Sequence, residues 1–277
     1  MLNRARNPAF PLPQALALGL LQGPTELLPV SSSAHTTLLP WLAGWRYSEL
    51  DAELRKSFEV ALHAGAGLAL VIDMRGELVK EATALDRRRA AVVACSIVPP
   101  AIAGYTLRRL IERRMGGPGS IAAGLIAGAA AMALADARSG RGSRTVEDVG
   151  VRDGLALGLA QALALIPGVS RNGATLTAAL ARGFTREAAQ ELSWHAALPV
   201  ILGAGALELG RLARPGAADG GAAMAAGGAS AFASTLLSSR VLARSSRGRA
   251  LLPFSLYRGA LALVVIRRLR CAHNRDG

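Results

Sequence analysis

The stretch QGPTELLPVSSSAH, from Gln22 to His35, gathers a carboxylate, three serines and an imidazole around a proline inside an Ala- and Leu-rich run. Gln22 and Glu26 are four residues apart and share one face of an incoming helix. If a helix resumes after Pro29, Ser32 and His35 stand at i,i+3, and Ser31 and His35 at i,i+4, with Ser33 beside them. A hydroxyl and an imidazole can then meet, and with a carboxylate nearby they form the general arrangement of an activated nucleophile. Serines that pack a helix and a histidine that caps it would show the same spacing.

A second stretch, PGVSRNGAT, places Gly168, Ser170, Arg171, Asn172 and Gly173 at the expected start of a helix. Free backbone amides there, the positive end of the helix dipole and the guanidinium fork make a phosphate site. Thr175, four residues after Arg171, can add a hydroxyl to the same face. Together the two stretches supply an acid, a Ser/His pair and an anion cradle. Phosphoryl-group chemistry is the simplest joint reading.

The elements that position these residues are membrane helices. The 277-residue chain carries a net charge of +13 and a pI near 11.3, which raises nucleic-acid binding as a possibility. The patterning argues against it: 51% of residues are hydrophobic and only 4% aromatic, mean hydropathy is +0.32, and arginines cluster between uncharged runs. That is the layout of spans joined by basic loops, and anionic lipid accounts for the loop charge without nucleic acid. The apolar windows are Pro8–Thr25, Ala90–Leu107, Met115–Ala135, Gly154–Ser170, Leu192–Leu207, Gly220–Ser239 and Ala250–Ile266, the last interrupted by Arg258, with a shorter run at Val60–Ile72. A soluble Ala-rich bundle would show polar residues at helical spacing, and Ile121–Ala135 shows none. Pro11 and Pro13 stand where a signal peptide's apolar region would begin, so the first segment is expected to be retained. Cys95 and Cys271 form no disulfide or zinc pattern. All loops are basic, so charge bias gives no orientation.

Glu26 in this setting costs roughly 2.5–3.5 kcal/mol to insert, which marks it as cavity-facing and functional. The frame Gly-Leu-x-Gln, apolar stretch, Pro, Ser recurs in Gly19–His35 and Gly158–Thr175, and an acid with His four residues on recurs as Glu59/His63 and Glu191/His195. Halves of about 12–135 and 151–268 within one membrane domain, 1–277, are therefore expected, with the site at their interface. Pro29 and Pro167 must each end or kink a helix, and broken backbone at membrane depth survives only where protein or a watery cavity satisfies it. The predicted fold is an all-α integral membrane bundle with an internal, inverted repeat and two re-entrant helical hairpins.

QGPTELLPVSSSAH and PGVSRNGAT resemble the two signature motifs of the bacterial undecaprenyl-diphosphate phosphatases of the bacitracin-resistance type, written [E/Q]xxxE and PGxSRSxxT. The similarity extends through FEVALHAGA and ALPVILGAG to PFSLYRGALALVV. The resemblance implies removal of the terminal phosphate of undecaprenyl diphosphate, recycling the cell-wall carrier lipid and conferring bacitracin resistance. It also implies dependence on a divalent cation, Mg²⁺ or Ca²⁺, and a multi-pass protein of the cytoplasmic (inner) membrane whose site opens to the extracytoplasmic side. By position, Glu26 is the metal ligand or proton-handling group, Ser32 the favoured nucleophile with His35 as base or acid, and Arg171 the diphosphate grip. Gln22, Ser31, Ser33, Ser170, Asn172 and Thr175 are substrate-binding positions.

Three residues depart from the pattern. Gln22 takes the amide option and cannot be a second carboxylate, Asn172 replaces the second Ser, and Ala34 replaces a common Gly where a left-handed backbone would disfavour it. The nucleophile remains open among Ser32, His35 and activated water. The expected partners are a polyprenyl diphosphate and membrane lipids, without nucleic acid; monomer and homodimer are both open. A secondary transporter or flippase of an anionic lipid or small anion shares the duplicated, broken-helix pattern, but needs no Ser32 nucleophile.

Overall fold

The computed structural model describes residues 10–83, 85–139, 142–212, 220–243 and 250–276. Pro8 and Ala9 of the first apolar window, and residues 244–249 of the last basic loop but one, lie outside them. Eleven α-helices occupy the described residues: α1 Leu12–Leu27, α2 Ser32–Ala43, α3 Ala52–Asp73, α4 Arg75–Thr83, α5 Arg87–Met115, α6 Pro118–Arg138, α7 Val151–Leu163, α8 Arg171–Ala181, α9 Arg186–Leu212, α10 Gly221–Ala243 and α11 Leu252–Asp276. An isolated bridge between Arg144 and Phe184 is the only β-type pairing among the described residues.

Two breaks interrupt the helical run where the prolines require it. The first separates α1 from α2 across Leu28–Ser31, and the second separates α7 from α8 across Ala164–Ser170. In each case the second helix leads back toward the start of the first. The Tyr47 amide, just past α2, donates to Gln14 Oε1 at 3.1 Å; Arg182, just past α8, donates to Asp153 Oδ1 at 2.7 Å.

The two pairs are seated alike. Gly19 and Gly23 lay α1 directly on α10, where a Cβ would strike Gly227 and Ser234, and Gly154 and Gly158 lay α7 on α5, where it would strike Val92 and Cys95. Such small-residue faces bring backbones close enough for side chains to reach the neighbouring carbonyls. Ser230 and Ser234 donate to Leu16 O and Leu20 O of α1 at 2.9 and 2.5 Å, and Gln161 donates to Ser96 O of α5 at 2.9 Å. α3 packs on α9 and α6 on α11, closing the bundle around the breaks.

Two helices, α5 over Arg87–Leu107 and α6 over Pro118–Arg138, are long and apolar enough to cross a bilayer. The remaining expected windows fall in helices that are broken or carry polar side chains. Only 17% of the apolar window of α5 is buried, and Val98, Ile102, Tyr105 and Leu107 lie exposed along it. A core helix of a water-soluble protein would be covered, whereas an exposed apolar helix needs an apolar solvent.

In the first turn of α7, ahead of its apolar run, Asp153 is held by Arg144 at 2.6 Å and Arg182 at 2.7 Å and accepts from the Gly150 amide at 2.9 Å. Burial alone would raise its carboxyl, but the two guanidinium hydrogen bonds and the amide bring it down to about 2. A depressed carboxylate stabilises the fold above its unfolded value, and that contribution is lost as pH falls through the folded one, here between about pH 4 and pH 2. It is worth on the order of 1–2 kcal/mol once screening of the partly exposed arginines is allowed for. Asp153→Asn should lower the thermal midpoint of the detergent-solubilised protein at pH 7 and flatten its decline between pH 4 and pH 2; an unchanged acid limb would remove Asp153 from this role.

Candidate active site

Glu26 lies in the last turn of α1 with its side chain only 8% exposed, and both breaks converge on it. From across the first break Ser32 Oγ donates to Glu26 Oε2 at 2.7 Å, while Gln22 Nε2, one turn back, donates to the same oxygen at 3.2 Å. From the second break Arg171, the first residue of α8, donates Nη2 to Glu26 Oε1 and Nη1 to Ala197 O at 3.3 Å. The four positions Gln22, Glu26, Ser32 and Arg171 therefore form one cluster.

The backbone between Glu26 and Ser32 is strained to bring this about. Ser31 has φ 75°, the one positive φ at a non-glycine among the described residues. A side chain there costs energy that the surroundings must offset, a pattern concentrated at functional sites. Ala34 is not the left-handed residue. It sits inside α2, fully buried against α6 and α11 with Leu38, Leu125 and Val265, so its methyl packs without strain and the special conformation falls three residues earlier.

The pairing of Ser32 with His35 that the spacing allows is not the one the fold makes. His35 Nδ1 lies 2.7 Å from Ser31 O; a carbonyl only accepts, so Nδ1 carries the proton, and the Tyr257 hydroxyl donates to Nε2 at 2.6 Å. The rings of His35 and Tyr257 stack with centroids 5.6 Å apart. Ser32 turns instead to the carboxylate, because the break swings α2 back over the last turn of α1. Ser31 and Ser33 hydroxyls lie 3.3 Å from each other. Tyr257 lay hidden in PFSLYRGALALVV, where nothing in the spacing ties it to a histidine 222 positions away.

In the second stretch only Arg171 reaches the carboxylate. Ser170 caps α8, accepting from the Gly173 amide at 3.2 Å. Asn172 Nδ2 donates to Leu27 O at 2.6 Å and its Oδ1 accepts from Ser193 at 3.0 Å. Thr175, expected beside Arg171, is fully buried with Oγ1 2.5 Å from Ser193 Oγ, because α9 covers that flank of α8. Asn172 and Thr175 thus fasten the second break to α1 and α9.

His63 of α3 is a neighbour that the motifs did not supply. Its Nε2 is 3.9 Å from Glu26 Oε2, its Nδ1 donates to Glu59 O at 2.7 Å, and its side chain is 43% exposed. The signal available was its place in the Glu59/His63 pair of the repeat. Among the described residues no group of three or more His, Cys, Asp or Glu could hold a metal by itself. The donor set suits a hard cation shared with a phosphate ligand: one carboxylate, and Gln22 Oε1, buried without a hydrogen-bond partner among the described residues.

A helical bundle with exposed apolar helices, broken at two points around a buried carboxylate, a hydroxyl and a guanidinium, is a membrane protein with a polar cluster in its interior. The sequence matches the family described as Bacitracin resistance protein BacA over residues 15–264, and the chain belongs to that family. It is 43% identical over 257 residues to an undecaprenyl-diphosphatase of Geobacter sulfurreducens, covering 88% of this chain and 93% of the relative. It is 40% identical over 270 residues to one of Pelobacter propionicus (91% and 96%), and 38% identical over 275 residues to one of Thermomicrobium roseum (91% and 96%).

The ion pair gives a test that needs no substrate. Removing one partner of a buried pair leaves the other charge uncompensated and costs about 3–5 kcal/mol. Arg171→Ala should therefore lower the thermal midpoint more than Glu26→Gln/Arg171→Ala, measured by unfolding in detergent. Equal midpoints would mean that Glu26 does not depend on Arg171.

Proposed function

We propose that this chain hydrolyses undecaprenyl diphosphate to undecaprenyl phosphate and inorganic phosphate, recycling the lipid carrier of cell-wall synthesis and conferring bacitracin resistance. The observation that carries the mechanism is the contact of Ser32 and Arg171 with opposite oxygens of Glu26. In the resting site the carboxylate occupies the anion's place against the guanidinium. When the diphosphate arrives, Arg171 exchanges Glu26 for a phosphate oxygen, and its planar fork grips the substrate as charge moves onto the leaving group.

Glu26 Oε2 is then the base for Ser32. The Ser32 oxygen attacks the terminal phosphorus, its proton passes to Glu26, and the bond to the bridging oxygen breaks to release undecaprenyl phosphate. Water then attacks the phosphoserine, returning the proton to Ser32 and freeing phosphate. The low dielectric of the bundle strengthens these charge contacts relative to water. His35, linked to Ser31 O and Tyr257, holds the strained turn that aims Ser32. Gln22 orients the carboxylate, Ser31 and Ser33 line the approach, and Ser170, Asn172 and Thr175 hold Arg171 in place. A divalent cation, Mg²⁺ or Ca²⁺, held by Glu26, Gln22 Oε1 and the diphosphate, would offset phosphate charge as the anhydride opens.

The same reading extends to the architecture. Residues 12–135 and 151–268 form two halves of opposite orientation, each opening with a re-entrant hairpin. Three observations support this: the doubling back of α2 and α8, the matched glycine faces of α1 and α7, and the course of α11. That helix starts beside Asp136, whose carboxylate accepts from the Leu251 and Leu252 amides at 2.9 and 3.1 Å, in a cluster with Leu157 and Phe184 near the base of the second pair. Further along it, Arg268 donates to Leu42 O at 2.9 Å, at the base of the first. The protein resides in the cytoplasmic membrane, with the site open to the extracytoplasmic side.

Purified protein in detergent should release phosphate from undecaprenyl diphosphate, and chelator should suppress the release until Mg²⁺ or Ca²⁺ is restored. Ser32→Ala, Glu26→Ala and Arg171→Ala should each lower the rate by about a hundredfold or more. No release by the wild type, or full rates in all three variants, would refute the assignment; an anion transporter would keep its flux in Ser32→Ala.

A further inference from the structure

We propose that Arg258 is a positioning residue that locks the two breaks together and so holds the Ser32 half of the site in register with the Arg171 half. Its activity arm rests on the function proposed above; its geometry does not.

Arg258 of α11 is 0% exposed, the largest fully buried side chain among the described residues. Its Nη1 donates to Pro29 O at 3.4 Å and approaches Met132 Sδ at 3.0 Å. Its Nη2 donates to Gly168 O at 2.8 Å and Gly124 O at 3.4 Å. Pro29 lies in the first break and Gly168 in the second, so one guanidinium spans carbonyls from both interrupted segments. Broken backbone in an apolar bundle must find donors, and this fork supplies them to both breaks at once.

Room for the fork is made on purpose in the sequence. A Cβ at Gly128 would collide with the guanidinium, and one at Gly173 would crowd both Met132 and Arg258 Nη1 at 2.9 Å. Among the described residues no carboxylate pairs with Arg258 and its Nε has no hydrogen-bond partner. A buried cation without a counter-ion is expensive, and the offset comes from three carbonyl oxygens and the Met132 sulfur. The residue before it, Tyr257, holds His35 of α2, so two consecutive side chains of α11 tie α2, α6 and both breaks to one another.

The catalytic consequence follows from chain position. Glu26 and Ser32 flank Pro29, and Arg171 follows Gly168 by three residues. If the breaks slide apart by an ångström, nucleophile and anion grip lose their mutual geometry, and a misplacement of that size costs about a hundredfold. Lysine is a point donor on a flexible stem and cannot span both carbonyls as a planar fork does.

The test compares wild type with Arg258→Met and Arg258→Lys in detergent, using undecaprenyl diphosphate hydrolysis. Arg258→Met should lower kcat at least tenfold with KM within threefold, and Arg258→Lys should fall between. The second measurement is a spin-label distance between Leu39→Cys of α2 and Leu163→Cys of α7, with Cys95 and Cys271 replaced by serine and no substrate present. The wild type should give one narrow distance and Arg258→Met a broadened one. A narrow distance in a folded Arg258→Met overturns the proposal whatever the rate does, and so does kcat within twofold of wild type. If Arg258→Met does not fold, Arg258→Lys decides by the same two criteria. A broadened distance in Arg258→Met, with a wild type that releases no phosphate, upholds the lock and removes the proposed activity.

Discussion

Peptide groups inside an apolar bundle have no water to turn to, and two interruptions in the helical run expose several of them at once. The rest of the structure is arranged around meeting that demand. Leu27 O takes the Asn172 amide, Pro29 O and Gly168 O take the Arg258 guanidinium, and Ser31 O takes His35. Each donor comes from a residue distant in sequence or from the next turn of α2. Satisfying the breaks therefore also joins segments about 145 to 230 residues apart, by the separations of Asn172 from Leu27 and of Arg258 from Pro29.

The polar site is a by-product of the same constraint. A helix that stops inside the bundle leaves a side chain of its last turn, Glu26, in a protein interior rather than along a surface. A helix that starts there offers its first residues, Ser32 and Arg171, to the same space. Desolvated charges require partners, and the carboxylate and guanidinium supply one another. The glycine faces of α1 and α7 serve this end by pressing the interrupted helices against intact ones, α10 and α5, which gives the broken segments a rigid backing.

Much of this was legible in the chain. Pro29 and Pro167 fix where helices stop, because a ring nitrogen cannot donate, and both breaks fall there. The shared Gly-Leu-x-Gln frame marked the two segments that carry the breaks, and Glu26, Ser32 and Arg171 stood out as polar residues in apolar surroundings. What could not be read was the direction of each side chain after the turn. His35 and Ser32 are near neighbours on one helix, yet their partners are Tyr257 and Glu26; Thr175 faces Ser193 rather than the site; His63 joins Glu26 through the packing of α3. Among the described residues, the windows in α5 and α6 lie in helices long and apolar enough to cross a bilayer.

Local chemistry thus determined the helices, their interruptions and the inventory of reactive groups, because proline geometry, glycine size and helical periodicity act over a few residues and are carried by the sequence itself. Tertiary structure alone decided which reactive groups meet. The strained φ of Ser31, the turn of Ser32 toward Glu26 and the reach of Arg258 across both breaks depend on how α6, α9 and α11 press on the broken segments. Those are contacts between residues whose separation along the chain leaves no trace in local spacing.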